Sequence, residues 1–295
     1  MPPLSVSIVC RNNVATLPGV LDAVAPLVAA DPNAEIVALD SGSTDGTIEL
    51  LESRRVRVLR EPWRGFVKTK QQALDACVNP WILCLDSDEP PQPDLVHSIR
   101  GVLAKDDPSV QGYRVNRKAF FAGRYLDHCW QPERRLRLVR RGAARWTGID
   151  PHDRLEMIDP AARVRDLAGV LRHDSFRSMS EHLERQLRYA RLTAEGLYLA
   201  GERGGAMQVC VMPAAAFLKQ MVFKSAWRDG WRGVVAAAST AAATLMKHVL
   251  LYERTSLERE QGSRERERQT GKAPGRTQQA APEGAGSSKT SPDGA

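Results

Sequence analysis

Short apolar runs alternate with segments of helical period through the first hundred residues, and two of those runs stop on an aspartate. Leu4–Cys10 is apolar and rich in β-branched residues. Residues 17–30 then place Leu17, Val20, Leu21, Val24, Leu27 and Val28 at helical spacing. A second run, 35–39, ends in Asp40, and the Gly/Ser/Asp turn 41–47 leads into a short helix reaching about Ser53. Residues 56–59 form a third run and 65–78 a further helix with Ala73, Leu74 and Cys77 on one side. The fourth run, 81–85, ends in Asp86. Strands separated by helices predict βαβ units. The expected class is therefore α/β, a mostly parallel, Rossmann-like sheet flanked by helices, with ligands at the carboxyl ends of the strands.

Beyond residue 110 the pattern changes. Residues 112–116, 120–125 and 136–140 read as shorter strands between polar turns. Met179–Leu199 reads as a helix, and 207–223 and 233–252 are more apolar than anything before them. From Thr255 onward there is no aromatic residue and only one Leu, so the segment lacks the apolar area to offset its ordering entropy. The expected organisation is a catalytic domain over 1–175, a helical region over 176–254 and a disordered tail over 255–295.

Charge is informative because of where it sits. Lys and Arg total 42 against 35 acids, a formal +7, yet the tail is close to neutral. The excess belongs to the folded part. Residues 117–145 alone carry Arg117, Lys118, Arg124, Arg134, Arg135, Arg137, Arg140, Arg141 and Arg145 against Asp127 and Glu133. Phe120, Phe121, Tyr125, Trp130 and Trp146 interleave with them, which marks an anion-binding surface. A solubilising face and a nucleic-acid surface are the competing explanations. The average polarity argues against a polytopic membrane protein. Five scattered cysteines without a C-x-x-C pair argue against a disulfide scaffold or structural zinc and for a reducing compartment. No basic residues precede the first apolar run, and Arg11 interrupts it, so no signal peptide is expected.

The two aspartate loops are the candidates for chemistry. Asp86, Asp88 and Glu89 share one loop at a strand end. Two carboxylates so spaced can hold Mg²⁺ or Mn²⁺ through one or two oxygens and leave the other positions to water and phosphate. The competing reading is a solvated acidic turn closed by Pro90 and Pro91. Asp40 stands where a nucleotide base or sugar would sit, while the Ser, Thr and Asp after it also suit a helix cap.

Taken in order, several motifs resemble the family 2 glycosyltransferases of GT-A fold, and within them the bacterial lipopolysaccharide core β-glycosyltransferases. They are Ser7-Ile-Val-Cys-Arg-Asn, Asp40-Ser-Gly-Ser-Thr-Asp-Gly-Thr, Trp63-x-Gly-Phe, Lys70 and Leu85-Asp-Ser-Asp-Glu. Further on stand Gly123-Arg-Tyr-Leu, Trp130-x-Pro-Glu, Leu136-Arg-Leu-Val-Arg-Arg-Gly, Trp146-x-Gly-x-x-Pro-His-Asp and Lys224-x-x-x-x-Asp-Gly-x-x-Gly. The resemblance covers about residues 5–254. It implies a GT-A nucleotide-diphospho-sugar transferase fold with a C-terminal helical extension. It also implies an inverting hexosyl transfer from a nucleotide-sugar, in particular a UDP-sugar, with Mg²⁺ or Mn²⁺ as cofactor. The implied roles are Asp40 on the base or ribose, Lys70 near base or phosphates, Asp86 on the ribose or a metal water, and Asp88 on the metal. Asp153 is the implied general base, supported by His152. Asp153 stands where the family usually has Glu, Asn13 where it usually has Glu, and Gln71 where it usually has Asn.

Inversion needs one in-line displacement and one base. A covalent route would want a second carboxylate, and Asp150 is the near candidate. On this reading Arg124, Trp130 and Arg137 meet a phosphorylated glycolipid acceptor, ring on sugar and guanidinium on phosphate. The apolar stretch 234–246 is thirteen residues long and 207–223 contains Pro213, Lys219 and Gln220, short of the twenty or so a span needs. Both are expected to lie at an anionic membrane surface, on the cytoplasmic face of the inner membrane, with packing on the domain or a second subunit as the alternative. The rival functions are a nucleotidyltransferase, which would want a Gly-rich loop where Arg11-Asn12-Asn13 stands, and a non-catalytic membrane-associated scaffold.

Overall fold

A computed structural model describes residues 1–150, 152–173 and 178–269. The expected units β1 (Leu4–Cys10), α1 (Leu17–Val28), β2 (Glu35–Asp40), α2 (Thr47–Ser53), β3 (Arg57–Arg60), α3 (Phe66–Asp75) and β4 (Trp81–Asp86) follow one another in order. A helix not expected from the sequence, α4 (Pro93–Lys105), comes next. Pro90 and Pro91 suggest a turn, but Pro93 takes the first turn of a helix, where a missing N–H costs nothing. Leu95, Val96, Ile99 and Leu103 then make its buried stripe.

The second half adds β5 (Gly112–Phe121), β6 (Arg124–Tyr125), β7 (Arg134–Arg140), β8 (Ala144–Ile149), β9 (His152–Met157) and β10 (Val164–His173). The last three were not expected, because their alternating charged residues hide the apolar period. Strand order in the main sheet is β10-β5-β7-β4-β1-β2-β3. Along this path β7 runs against both its neighbours, and the short β6 pairs antiparallel with β5, so the sheet is mixed and mostly parallel. The strands β8 and β9 form a separate hairpin.

The strand period of two builds a core on each face. Along β4, Trp81, Leu83 and Leu85 face one way into a cluster with Leu17, Val20 and Val24 of α1 and Leu95 and Ile99 of α4. Ile82 and Cys84 face the other way, onto Leu74 and Cys77 near α3 and Trp146 and Leu155 of the hairpin. Helices therefore cover both faces, as parallel strands require.

The C-terminal region comprises α5 (Met179–Leu199), α6 (Ala206–Leu218), a π-helical turn Lys219–Phe223, a 3-10 turn Ala226–Asp229 and α7 (Trp231–Gln269). Two corrections to the sequence reading arise here. Pro213 does not break α6, and α7 is continuous well beyond the thirteen apolar residues 234–246. Ala206–Phe223 and Trp231–Arg266 are both long and apolar enough, by length and composition, to cross a membrane. By contacts the chain divides into residues 1–255 and 256–295, so the sheet and α5–α6 belong to one unit. The boundary expected at 175/176 falls outside the described residues, as do 270–295 of the tail, while 256–269 continue as helix.

Candidate active site

Register brings the two aspartate loops together. Cys10 pairs with Asp40 across β1–β2, and Val9 pairs with Asp86 across β1–β4. Both carboxylates therefore leave the same edge of the sheet, one strand either side of β1. The Asp40 carboxylate is buried and turned onto its own loop. Its Oδ1 accepts from the Gly42 and Ser43 amides, both at 2.9 Å, and its Oδ2 accepts from Ser43 Oγ and, at 3.6 Å, from Cys10 Sγ. In this arrangement the Asp40 carboxylate shapes the turn that follows β2. The loop also ties back to β1 through Asn12 and Asn13, whose amides donate to Ser43 and Thr47 hydroxyls.

At the end of β4, Asp86 meets Lys70 of α3: Lys70 Nζ stands 2.6 Å from Asp86 Oδ1 and 2.8 Å from Asp153 Oδ2 on β9. One ammonium thus links two carboxylates from residues 67 positions apart. Burial pulls the Lys70 pKa down, but the charges of Asp86 and Asp153 outweigh it and the net direction is up. Lys70 also lies over the Trp146 ring, 4.7 Å from its centroid. Asp153 Oδ2 is held by Lys70, and Asp153 Oδ1 makes no hydrogen bond among the described residues.

Behind this pair runs an ionic chain that the sequence does not disclose. Glu89 is fully buried and accepts from Arg137 at 3.0 and 3.1 Å and from Arg117 at 3.0 Å. Burial works against its charge, but Arg137 and Arg117 hold its carboxyl well below the usual range. Arg117 also grips Glu133, whose carboxyl, despite burial, is brought down to about 2 by Arg117 and Arg135. Removing one partner of a buried pair of this kind leaves an uncompensated charge and costs about 3–5 kcal/mol. These residues are the rigid base on which Asp86 and Asp88 stand.

Asp150 and His152 take roles different from those expected. Asp150 Oδ2 and Oδ1 accept from the Phe66 and Val67 amides at 3.0 and 3.2 Å. The carboxylate therefore caps α3 from a distant hairpin, satisfying two of the free N–H groups of its first turn. Gly65, at φ +93°, is required there: a Cβ would lie 2.2 Å from Asp150 Oδ2. His152 immediately precedes Asp153 on β9 and so points to the opposite face. Its Nε2 lies 3.1 Å from Thr193 Oγ1 on α5, and burial with the charges of Lys247 and Arg135 lowers its pKa. It supports the hairpin against α5 and makes no hydrogen bond to Asp153 among the described residues. Asp150→Ala is accordingly expected to cost about 1 kcal/mol of stability, the usual worth of a cap, with turnover little changed. Thermal unfolding read beside an activity assay checks this, and a dead but fully stable variant would make Asp150 the base.

Two of the three expected acceptor residues are corrected by their surroundings. Arg137 is 4 % exposed and engaged with Glu89 and, at 3.6 Å, Asp86. Trp130 packs under the C-terminal helices, its Nε1 donating to Thr240 Oγ1 at 2.9 Å and its ring 5.6 Å from Phe121. Arg137 is thus closed off from an acceptor, and Trp130 is partly buried against the helices. Arg124, on β6, is exposed. The aromatics that do reach the surface near the site are Trp63, 40 % exposed, and Phe66 against it at 4.7 Å, with Tyr189 of α5 6.4 Å from Phe66.

Asp88 has no Lys or Arg ion pair among the described residues, and the charges of Arg185 and Arg117 only partly offset its burial. Burial, then the charges of Asp86 and Glu89, push its carboxyl up to about 7. Its nearest cationic candidate, His173 at 3.8 Å, is driven down to about 4 by burial and Arg117, and is neutral near pH 7. A divalent cation at Asp88 would meet this demand. Among the described residues no three His, Cys, Asp or Glu side chains converge as a complete ligand set. The donor set is thus one or two carboxylate oxygens, the kind that binds Mg²⁺ or Mn²⁺ together with phosphate.

The sequence pattern of the family described as Glycosyl transferase family 2 matches residues 5–155. The chain is 32 % identical over 263 residues to the lipopolysaccharide core biosynthesis glycosyltransferase LpsC of Rhizobium meliloti, covering 86 % of this chain and 94 % of that one. An uncharacterized glycosyltransferase of Rickettsia typhi is 22 % identical, over 86 % of this chain and 88 % of the relative. Among solved structures, glucosyl-3-phosphoglycerate synthase of Mycobacterium tuberculosis, in complex with Mn²⁺, uridine diphosphate and glucosyl-3-phosphoglycerate, is 26 % identical. That match has a TM-score of 0.34 and covers 39 % of this chain and 44 % of that one. Mannosyl-3-phosphoglycerate synthase from Rubrobacter xylanophilus is 17 % identical with a TM-score of 0.45, over 68 % and 75 % of the two chains.

Proposed function

The chain belongs to glycosyl transferase family 2, and from that premise we propose that it moves a sugar with inversion from a uridine diphosphate sugar to the lipopolysaccharide core or another lipid-linked glycan, at the cytoplasmic face of the inner membrane. The fold is the GT-A α/β sheet with its C-terminal helical part. The observation that carries the reading is the convergence of Asp86, Lys70 and Asp153 within 3 Å contacts, beside an under-neutralised Asp88, at the carboxyl edge of parallel strands. The lipid-linked acceptor rests on the likeness to LpsC over most of both chains.

The chain's own groups suit a single displacement. The acceptor hydroxyl oxygen attacks the anomeric carbon as the bond to the diphosphate oxygen breaks. The electron pair leaves with the diphosphate, and the hydroxyl proton passes to Asp153 Oδ1. Lys70 holds Asp153 Oδ2 and so fixes which oxygen is available. Asp88 would hold Mg²⁺ or Mn²⁺, with Asp86 beside it. When bound, the cation supplies positive charge to the departing diphosphate. Asp150 is engaged in capping α3 and Glu156 in bonds to Arg154 and Thr147, so neither suits a covalent intermediate. Asp40 holds the loop that frames the nucleotide.

Transfer or hydrolysis across a panel of nucleotide-sugars with Mn²⁺ present tests the reading directly. No turnover of any donor and no stabilisation by uridine diphosphate would remove it. At a hundred times its dissociation constant a true ligand adds about 2.7 kcal/mol.

Metal binding should also follow pH. The Asp88 carboxyl, raised to about 7, must lose its proton before it can bind a cation. Mn²⁺ affinity in the presence of UDP-glucose is therefore expected to be full above pH 7 and to fall about tenfold per unit below it. Electron paramagnetic resonance titrations between mildly acidic and mildly basic pH read this. A flat profile would take Asp88 out of the metal site.

A further inference from the structure

The most unusual surface on this protein is the outer side of α6 and the π-helical turn after it. The 18 residues Ala206–Phe223 contain no acid and one cation, Lys219, and none of that stretch is buried inside the protein. The polarity is inverted relative to an ordinary surface helix. Gln208 and Gln220 are half-buried, Gln208 Oε1 accepting from the Gly205 amide and Gln220 Oε1 from the Trp130 amide at 3.2 Å in each case. Met207, Val211, Met212, Leu218, Val222 and Phe223 are between 45 and 83 % exposed. A continuous apolar face of this extent on a soluble domain marks a docking surface.

Charge identifies the occupant. Lys219, Lys224 and Arg228 rim the C-terminal end of the face, and the exposed Trp227 and Trp231 stand among them. Asp229, in the same turn, is turned inward to accept from the backbone amides of Asp127, His128 and Cys129, and Asp127 itself pairs with Lys118. A second copy docked on this face would bring the rim no counter-charge from the stretch Ala206–Phe223, which contains no acid. Anionic headgroups above an acyl layer complement both the rim and the face, with tryptophans at the boundary.

The same contacts decide how the helix sits. Before α6, the Gly204 amide donates to Thr255 Oγ1 at 2.9 Å, and a Cβ on Gly204 would lie 2.5 Å from the Tyr252 nitrogen. At its other end Phe217 and Met221 pack on the cluster of Phe121, Leu126 and Cys129. The start of α6 is thus tied to α7 and its end to the cluster beside β5. A span of Ala206–Phe223 would have to release Phe217 and Met221 from that cluster and place Gln208 and Gln220 in hydrocarbon. We propose that Ala206–Phe223, although about 27 Å long and apolar enough to cross a bilayer, instead lies flat in an anionic membrane surface as the in-plane anchor of the enzyme. This rests on the reading of a lipid-linked acceptor for the biological use of the anchor, but not for its existence.

Flotation of the full chain with vesicles of phosphatidylcholine and phosphatidylglycerol tests the anchor without donor or acceptor. The wild type is expected to float, and less so with phosphatidylcholine alone. The double variant Leu218→Glu/Phe223→Glu, and separately Met207→Glu/Val211→Glu at the other end, should each weaken binding at least about tenfold, since each removes two exposed apolar side chains from the contact. Circular dichroism should stay unchanged, because all four side chains are on the outer face. Wild-type failure to float, or variants that float as well as wild type, would overturn the proposal. So would a dimer in sedimentation equilibrium that Leu218→Glu/Phe223→Glu dissociates while vesicles are ignored. Flotation without any sugar transfer would instead sink the enzymatic reading and leave the anchor standing.

Discussion

Asp88→Ala is expected to abolish sugar transfer while leaving a protein at least as stable as the wild type in the absence of metal. The two halves of this result have one cause. A carboxyl whose pKa rises from 3.8 to about 7 on folding disfavours the fold in its ionised form. Its stabilising contribution is present at low pH and is lost as pH climbs through that interval. Above pH 7 the accumulated penalty is on the order of 4 kcal/mol. Alanine removes that penalty together with the group that a divalent cation needs. The expected observations are an unfolding temperature without metal that does not fall, no further rise on adding Mn²⁺ with a uridine diphosphate sugar, and no turnover. A variant that still transfers sugar at saturating Mn²⁺ would show that the cation is held elsewhere.

Asp153→Asn should remove about 10²-fold or more of the turnover, the usual worth of a general base, with donor affinity unchanged. The amide keeps the shape of the side chain and can still accept from Lys70 through its oxygen, but it cannot take the acceptor proton. On the proposed reading the donor is gripped elsewhere, at Asp88 and along the Asp40 loop, so calorimetric binding of a uridine diphosphate sugar is the control. An effect on the Michaelis constant without an effect on turnover would recast Asp153 as a binding residue. If Asp153→Asn stays active, the remaining acid in the vicinity is Glu133, and its engagement with Arg117 and Arg135, with its carboxyl at about 2, makes it a poor base.

Much of the frame was legible in the residues. A strand needs a period of two and a helix a period near 3.6, and both are local properties, so β1 to β4 and α1 to α3 could be read with ends accurate to a few residues. The motif order added Asp40, Lys70, Asp86, Asp88 and Asp153, and all five come to the same edge of the sheet. The basic stretch 117–145 misled for a physical reason. Composition counts cations but not their partners, and Arg117 and Arg137 turn out to be buried against Glu89 rather than open to an acceptor. Trp130 misled likewise, since an aromatic that stacks on sugar and one that packs under a helix look the same in a sequence.

What the sequence by itself determined is therefore the α/β order, the two strand-terminal aspartates and the family. What only the tertiary structure decided is which partner each carboxylate meets. Asp150 and Asp153 stand three residues apart with the same functional group. One caps α3 through the Phe66 and Val67 amides and the other faces Lys70. The partners lie more than 80 residues away in the chain, and no local pattern encodes a contact at that separation. The same holds for α6. Its apolar composition is written in the sequence, but whether that surface faces a core or a membrane depends on what packs against it, and the protein leaves its apolar side uncovered.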